Sequence, residues 1–464
     1  MSASARSLTG QFALSGLSSG VALIANVIIG VLLARILGPE DRGAFAQVVF
    51  WATFLAGMST FSLADAMIVQ LSKERHAAAD KDEKQNEADA DEAVAGPEAY
   101  IPTLMISAIV VLVIAIGGAA LAISLDLLRV ERVEPIHVSL FVGLFFVINH
   151  INLVLAAAER AQMHFTVISV ERIILPAAYL GGIVILAISG LVSLETLMVV
   201  FLVSRVPILA RRLWRYRASL LGHFKTAIAK ENLSIGLGLH GSHVLRFMSE
   251  NIDRLFVNTI WVLAEIGYYA VAWSAAGVGY GFITQALNLI MLPMSAAKAK
   301  ADRAKHLADS MRITLILSVA FAAGIVVAAP FLIPLLYGAE FAEAIVMTQI
   351  LGLALLPLPI ITLLNEFLRG IGHLKDAVYG QGVTLAMVVA GWLITGYDNV
   401  IELGCGLAAA RLPAIAVLLL RLRKYGYASR WSDYFVPRAE DFRIIIRELG
   451  SLTKKLPRPL RSRD

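Results

Sequence analysis

The chain is built from apolar runs of about 20 residues, the length needed to cross a hydrocarbon layer. Twelve follow one another, at 12–34, 44–70, 101–125, 136–158, 165–188, 191–210, 233–258, 266–296, 312–336, 343–368, 376–396 and 400–421. Lipid gives backbone N–H and C=O groups no partner, so each run is expected to be a helix. The runs are too long, and alternate too little, for an outer-membrane barrel. The expected class is an all-α polytopic membrane protein of about twelve transmembrane helices. Only 16% of the residues are charged and 58% are hydrophobic, against about 25% and 45–50% in soluble domains. That excludes a water-soluble globule, collagen, a disordered chain and a coiled coil. The single cysteine, Cys405, excludes an intramolecular disulfide and a cysteine-cluster metal site. No nucleic-acid partner, cofactor or resident metal is expected.

The connections orient the spans. With the N-terminus in the cytoplasm, 32 Lys and Arg fall on the cytoplasmic side and four on the other: Arg35, Arg42, Arg129 and Arg132. This is the positive-inside pattern, and it places both termini in the cytoplasm. The polar head 1–11 precedes an apolar run too long for a signal-peptide core, so 12–34 reads as a retained first span. Span 233–258 is the most polar, and the glycine-rich 266–296 is expected to tilt, bend or end early.

The expected organisation is an N-terminal lobe over 1–210, a basic linker over 211–232, a C-terminal lobe over 233–421 and a basic tail over 422–464. Residues 74–98 carry nine acids and read as a disordered cytoplasmic insert. In the tail, Phe442, Ile445, Ile446 and Leu449 recur at helical spacing. They fit either an interfacial helix on anionic headgroups or a solvated tail. Gly43-Ala44-Phe45-Ala46 after the first span is echoed by Gly267-Tyr268-Tyr269-Ala270 after the seventh, an offset of 224 residues. Two copies of six helices would explain both that echo and the count of twelve.

No phosphate loop, HExxH or GxSxG is present. The outward loops are too short for an extracytoplasmic catalytic loop, so a transporter is expected rather than an enzyme. The informative residues are charges inside spans, which face a cavity or a partner. Wound at 3.6 residues per turn, span 233–258 puts His240, His243, Arg246, Glu250, Asn251, Asp253 and Arg254 on one arc. Val244, Leu245, Met248, Ile252, Leu255 and Phe256 take the other. The polar arc is either a cavity wall or a set of i, i+4 pairs of Glu250 with Arg246 and Arg254. For His240 and His243, packing within the protein is the simpler role. In span one, Ser15, Ser19, Ala22, Asn26 and Gly30 form a stripe of small residues that suits close helix packing. Asn26 is its candidate cavity residue. Asp65, deep in span two, is a candidate proton or cation site. Glu171, Arg172, Glu366 and Arg411 sit near span ends, where snorkelling explains them.

Four strings carry a resemblance. Residues 34–47 read ARILGPEDRGAFAQ, 253–272 read DRLFVNTIWVLAEIGYYAVA, 335–344 read LLYGAEFAEA, and 368–373 read LRGIGH. In this order among twelve spans, the chain resembles the polysaccharide exporters (Wzx-type flippases) of the multidrug/oligosaccharidyl-lipid/polysaccharide superfamily. The resemblance implies two six-helix lobes around a central cavity that opens alternately to each side. It implies a substrate, a polyprenyl-diphosphate-linked oligosaccharide, moved between leaflets of the bacterial inner membrane for O-antigen, exopolysaccharide or capsule assembly. A polysaccharide polymerase is then a candidate partner, beside membrane lipids. The motifs carry over Arg35, Gly38, Gly43, Asp253, Gly267 and Tyr269 as architecture.

Arg246 and Arg254 are expected to attract the diphosphate, because guanidinium matches phosphate oxygens bidentately. Glu250, His243 and Asn26 complete the candidate substrate-binding set. Asp65 and Asp253, with Glu250, are candidate carriers of a coupling H+ or Na+; the membrane potential is the other candidate drive. A cation-coupled multidrug exporter of the same superfamily is the alternative. A membrane enzyme acting on lipid-linked glycan is the third reading.

Overall fold

The structure, a computed structural model, describes residues 3–71, 73, 100–124, 130–162, 165–297, 300–427 and 430–455. The acidic insert 74–98 lies outside them. The described chain is helical throughout. In order come α1 (Ala3–Met58), α2 (63–71), α3 (Ile101–Ser124), α4 (Pro135–Ala161), α5 (Phe165–Ser189), α6 (Leu194–Val203), α7 (Val206–Arg215) and α8 (Arg217–Leu220). Then follow α9 (Thr226–Ile260), α10 (Leu263–Ala297), α11 (Lys300–Tyr337), a 3-10 turn (Ala339–Phe341), α12 (Ala344–Ala354), α13 (Leu358–Gly370), α14 (Leu374–Thr395), α15 (Val400–Lys424), α16 (Trp431–Phe435) and α17 (Ala439–Lys455). Eight described helices are long and apolar enough to cross a membrane. The protein is an all-α polytopic membrane protein.

Most span edges match the apolar runs, and the departures have local causes. The first two spans form one continuous run broken at Gly38 (φ 69°, ψ 177°). Gly38 takes a positive φ that a Cβ would oppose, and Pro39 follows without an N–H, so the chain turns and restarts as a helix. The second span breaks again at Ser59–Ser62, where Phe61 and Ser62 both have positive φ. The sixth span divides at Ser204–Arg205 into α6 and α7. The tenth divides at Leu355–Pro357, where Pro357 and Pro359 interrupt it. The glycine-rich eighth span does not stop early: α10 is one helix of 35 residues. Its Gly279 serves close packing instead, since a Cβ there would lie 2.0 Å from the Phe321 ring.

Contacts divide the chain into two compact units. One comprises Met1–Ala275 with Pro330–Met347. In it α1 packs on α4, α5 and α9. Met67, Leu71, Tyr100, Ile101, Leu104, Leu155 and Tyr216 form a core near the ends of α2, α3 and α4. Phe50, Trp51 and Phe54 form another, against Phe247 of α9. The other unit comprises Ala276–Ala329 with Thr348–Asp464. Its core joins Leu307 and Met311 of α11 to Leu363, Leu364, Phe367 and Leu368 of α13 and Leu418, Leu419 and Leu422 of α15.

Within the first unit the echoed glycines meet. A Cβ on Gly43 would lie 1.8 Å from the Leu263 carbonyl oxygen, and one on Gly267 would lie 2.0 Å from the Pro39 carbonyl oxygen. Each glycine meets the carbonyl four residues before the other. Pro39 and Leu263 are related by the same 224-residue offset as the glycines, so the contact is reciprocal. Gln47 adds a bond from Nε2 to the Asn258 carbonyl at 2.8 Å. Arg35 donates to the carbonyls of Leu335 and Leu336.

Candidate functional site

Most of the candidate site lies on one element, α9, which carries the polar arc expected of 233–258. Arg246 and Glu250 are exposed there, and His243 and Arg254 are half-buried. The i, i+4 pairing expected as the alternative does not close into contact. Arg254 Nη2 reaches the Glu250 backbone carbonyl at 3.3 Å rather than the carboxylate. Its guanidinium lies 4.9 Å from the centroid of the Trp273 ring of α10. Arg246, Arg254 and His243 remain electrostatic neighbours of Glu250. Contact ion pairs among the described residues of this unit form elsewhere, with Arg132, Arg211 and Arg212.

The other candidates separate from that group. Asp253 lies on the same arc but is taken up within the protein: it is buried, with 3% exposed, and its Oδ2 accepts from Tyr269 Oη at 2.7 Å. This bond joins two of the motif residues as architecture. Asn26 is exposed on α1, and Asp65 is exposed on α2 with Arg160 as an electrostatic neighbour. In the span-one stripe, Gly30 faces Ser274, and Ser19 accepts from Arg172 at 2.8 Å. The structure therefore groups Arg246, Glu250, Arg254 and His243 and leaves Asp253, Asn26 and Asp65 apart.

The histidines belong to a ring stack. Phe61, His240, His243 and Phe247 lie nearly parallel in sequence, with centroids 5.0, 6.2 and 6.0 Å apart. Phe61 enters the stack from the strained break in the second span. A Cβ on Gly236 would lie 2.7 Å from the Phe61 carbonyl oxygen, so α9 needs glycine there to admit it. Among the described residues, no group of three His, Cys, Asp or Glu is placed to hold a metal ion.

Several polar centres escaped the sequence reading. Arg42 is 8% exposed, its Nε has no hydrogen-bond partner, and its electrostatic neighbours are the phenols of Tyr179 and Tyr337 rather than a carboxylate. Arg205 follows α6, whose ten residues advance about 15 Å from the cap at Ser193. Its guanidinium lies 3.6 Å from the Phe201 centroid, a cation–π contact. Phe201 also meets Tyr179 edge-on. Arg42, Tyr179 and Arg205 thus form a second cationic locus, joining two arginines counted by sequence with the connections to a tyrosine of the fifth span.

The span-end charges are placed rather than snorkelling. Glu159, 0% exposed, and Glu171 bind Arg211 and Arg212 together, with contacts of 2.6 and 3.0 Å at Glu159. Arg212 also reaches Asn152. Arg411 Nη1 donates to the Ala354 carbonyl at 2.7 Å, and Tyr280 Oη to the Gly352 carbonyl at 2.6 Å. These donors satisfy C-terminal carbonyls that the break after α12 leaves open. Glu366 pairs with Arg369 at 3.0 Å. At the α1 kink, a depression of about 290 Å³ is lined by Gly38, Glu40, Asp41, Arg132 and Tyr268. Arg132 bridges Glu40 and Asp41 there and neutralises much of the acid.

Known proteins supply a frame for this geometry. No curated protein sequence matches the chain. Among solved structures, it is similar to an inward-facing multidrug resistance MATE family transporter of the MOP superfamily (TM-score 0.68, 15% identity, 90% of this chain and 100% of that one). It is also similar to the lipid II flippase MurJ in an inward closed conformation (TM-score 0.67, 13% identity, 95% and 96%). At such identities the structural likeness shows the fold alone. The family assignment comes from the sequence model described as polysaccharide biosynthesis protein, which matches residues 32–346. The chain belongs to that polysaccharide biosynthesis protein family, in the fold of the MOP-superfamily transporters.

Proposed function

We propose that the protein is a flippase for a polyprenyl-diphosphate-linked oligosaccharide, working by alternating access in the bacterial inner membrane with both termini cytoplasmic. The observation that carries the reading is the α9 face, where Arg246 and Arg254 stand without a contact carboxylate on the helix that the sequence reads as the seventh span. A guanidinium at membrane depth is retained where it meets water or an anion. A diphosphate supplies that anion and matches the planar fork bidentately. The buried Arg42 and the ring-stacked Arg205 extend the cationic character beyond α9.

In this mechanism the head group crosses in a wet cavity between two six-helix halves, 1–210 and 233–421, joined by the linker 211–232. The polyprenyl chain stays in lipid. The reciprocal contact of Gly43 with Leu263 and Gly267 with Pro39 supports the duplication on which such halves rest. Glu250 and His243, beside Arg246 on the same face, tune its charge. Asp65 is the better-placed coupling residue, being exposed, whereas Asp253 is committed to Tyr269. The family and fold favour a transporter over an enzyme. The cationic face favours an anionic substrate over the cationic drugs of the alternative reading.

The test is reconstitution. Purified protein in vesicles loaded with lipid-linked oligosaccharide should exchange that lipid between leaflets and should leave a cationic dye where it is. Dye export without glycolipid exchange would replace this reading with the drug-exporter one.

A further inference from the structure

Beyond its last span the chain builds a small helical plate. α15 ends at Lys424, and α16 and α17 follow. Arg312 of α11 organises them. Its Nε donates to Asp441 Oδ2 at 2.8 Å, its Nη2 to Asp441 Oδ1 at 3.1 Å, and its Nη1 to the Asp433 carbonyl at 2.6 Å. The two side chains of this fork are only 3% and 2% exposed. Tyr434 Oη donates to the Tyr427 carbonyl at 2.7 Å, and both tyrosines enter the core with Phe367. The plate is therefore fixed to the second unit. Arg312 is also the first residue of the apolar run 312–336, so the clamp holds the first turn of α17 where α11 enters the hydrocarbon layer.

At that level the helix presents a mixed surface. Phe442 and Ile446, one turn apart on one strip, are 48% and 69% exposed. Arg443 and Arg447 are exposed on the adjoining strip, again one turn apart. Asp441 occupies the remaining side, turned into the clamp. A helix with an apolar strip beside a basic one, clamped at its first turn to the start of the apolar run of α11, suits the interface of a bilayer. Basic side chains there meet phosphate oxygens of anionic lipids.

We propose that α17 is a binding site for anionic phospholipid headgroups in the leaflet at the C-terminal end of α15. Phe442 and Ile446 enter the interface, and Arg443 and Arg447 hold phosphate. The site rests on the membrane-spanning fold alone and is independent of the transported substrate. Each arginine close to an anionic surface shifts the docked-to-lifted ratio about fivefold.

The test uses the full chain with spin labels. In a Cys405→Ser background, Cys405 being the one native cysteine, single labels are placed by Phe442→Cys, Ile446→Cys and Glu440→Cys. Each protein is measured in nanodiscs of phosphatidylcholine alone and of phosphatidylcholine with phosphatidylglycerol. Access to lipid-soluble oxygen relative to an aqueous nickel chelate should rise severalfold at 442 and 446 with phosphatidylglycerol. It should stay unchanged at 440. Arg443→Gln with Arg447→Gln, both on exposed positions, should abolish the lipid dependence while the protein stays monodisperse. Equal water access at 442 and 446 in both lipids would overturn the proposal. Equal protection at 442 and 446 in phosphatidylcholine alone would also overturn it, since anionic headgroups would then play no part.

Discussion

Gly43→Ala puts one methyl group against a backbone that cannot step aside. The added carbon would lie 1.8 Å from the Leu263 carbonyl oxygen and 2.7 Å from its carbon. A carbon and a carbonyl oxygen need about 3.3 Å, so the helices must part by about 1.5 Å at this point. No side-chain rotation relieves the clash, because the obstacle is main chain. A gap of 0.5–1 Å already forfeits a quarter to a half of the dispersion well of each facing pair. Overpacking of this kind costs about 1–3 kcal/mol, against a gain of about 0.5–1 kcal/mol for replacing glycine inside a helix. Gly267→Ala meets the mirror-related obstacle at 2.0 Å and should cost a similar amount. One parting of the helices accommodates both methyls, so the double variant should cost less than the two singles together. The comparison is Gly238→Ala, which has nothing within 4 Å and should be neutral or stabilising. The assay is the temperature at which half of the monodisperse detergent-solubilised protein is lost. Gly43→Ala as heat-resistant as Gly238→Ala would refute the contact, and full additivity would refute the reciprocity.

Three further outcomes are expected. Glu159→Gln should sharply lower the amount of folded protein, by about 3–5 kcal/mol, because it removes one side of a buried pair and leaves Arg211 and Arg212 short of a carboxylate; solubilised yield measures it. For Asp441, burial pushes the pKa up, but the Arg312 fork and the Arg438 backbone N–H outweigh it and leave the pKa below its usual value. Its stabilisation is then present above about pH 4 and is lost as pH falls through the lowered value, so proteolytic release of α17 should begin only in stronger acid, whereas Asp441→Asn should release it at neutral pH. A reporter active only in the periplasm should be silent when fused after residue 222 and active when fused near residue 399.

Apolar run length made the eight long apolar helices legible, and the GAFA and GYYA strings, read as a trace of duplication, contain the two glycines that meet in the fold. The breaks were less legible. Pro357 and Pro359 mark the division of the tenth span, but the turn at Ser59–Ser62 uses Phe61 and Ser62 at positive φ with neither glycine nor proline within it. What holds that turn is tertiary: the Phe61–His240 stack and the clearance over Gly236. Helical periodicity placed Arg246, Glu250 and Arg254 on one arc correctly. It offered Asp253 as an open carboxylate as well, because a wheel cannot see that Tyr269 of the next helix takes that group. For the same reason Arg42 and Arg205 passed as loop charges and Arg411 as a snorkelling one. Their surroundings are set by helices up to 295 residues away in sequence, as for Arg42 and Tyr337.

The central claim is that the α9 guanidinium face holds the diphosphate of a lipid-linked glycan. Its most direct measurement is leaflet exchange of that glycolipid by Arg246→Ala, Arg254→Ala and their double variant, each reconstituted at wild-type density. Both positions face away from a contact carboxylate, so the variants should reach the membrane at near-normal abundance. They should fail to exchange the lipid. Arg→Lys at either position should restore only part of the rate, because an ammonium keeps the charge and loses the bidentate fork. Full exchange by the double alanine variant would contradict the claim and leave the family and fold standing without this site.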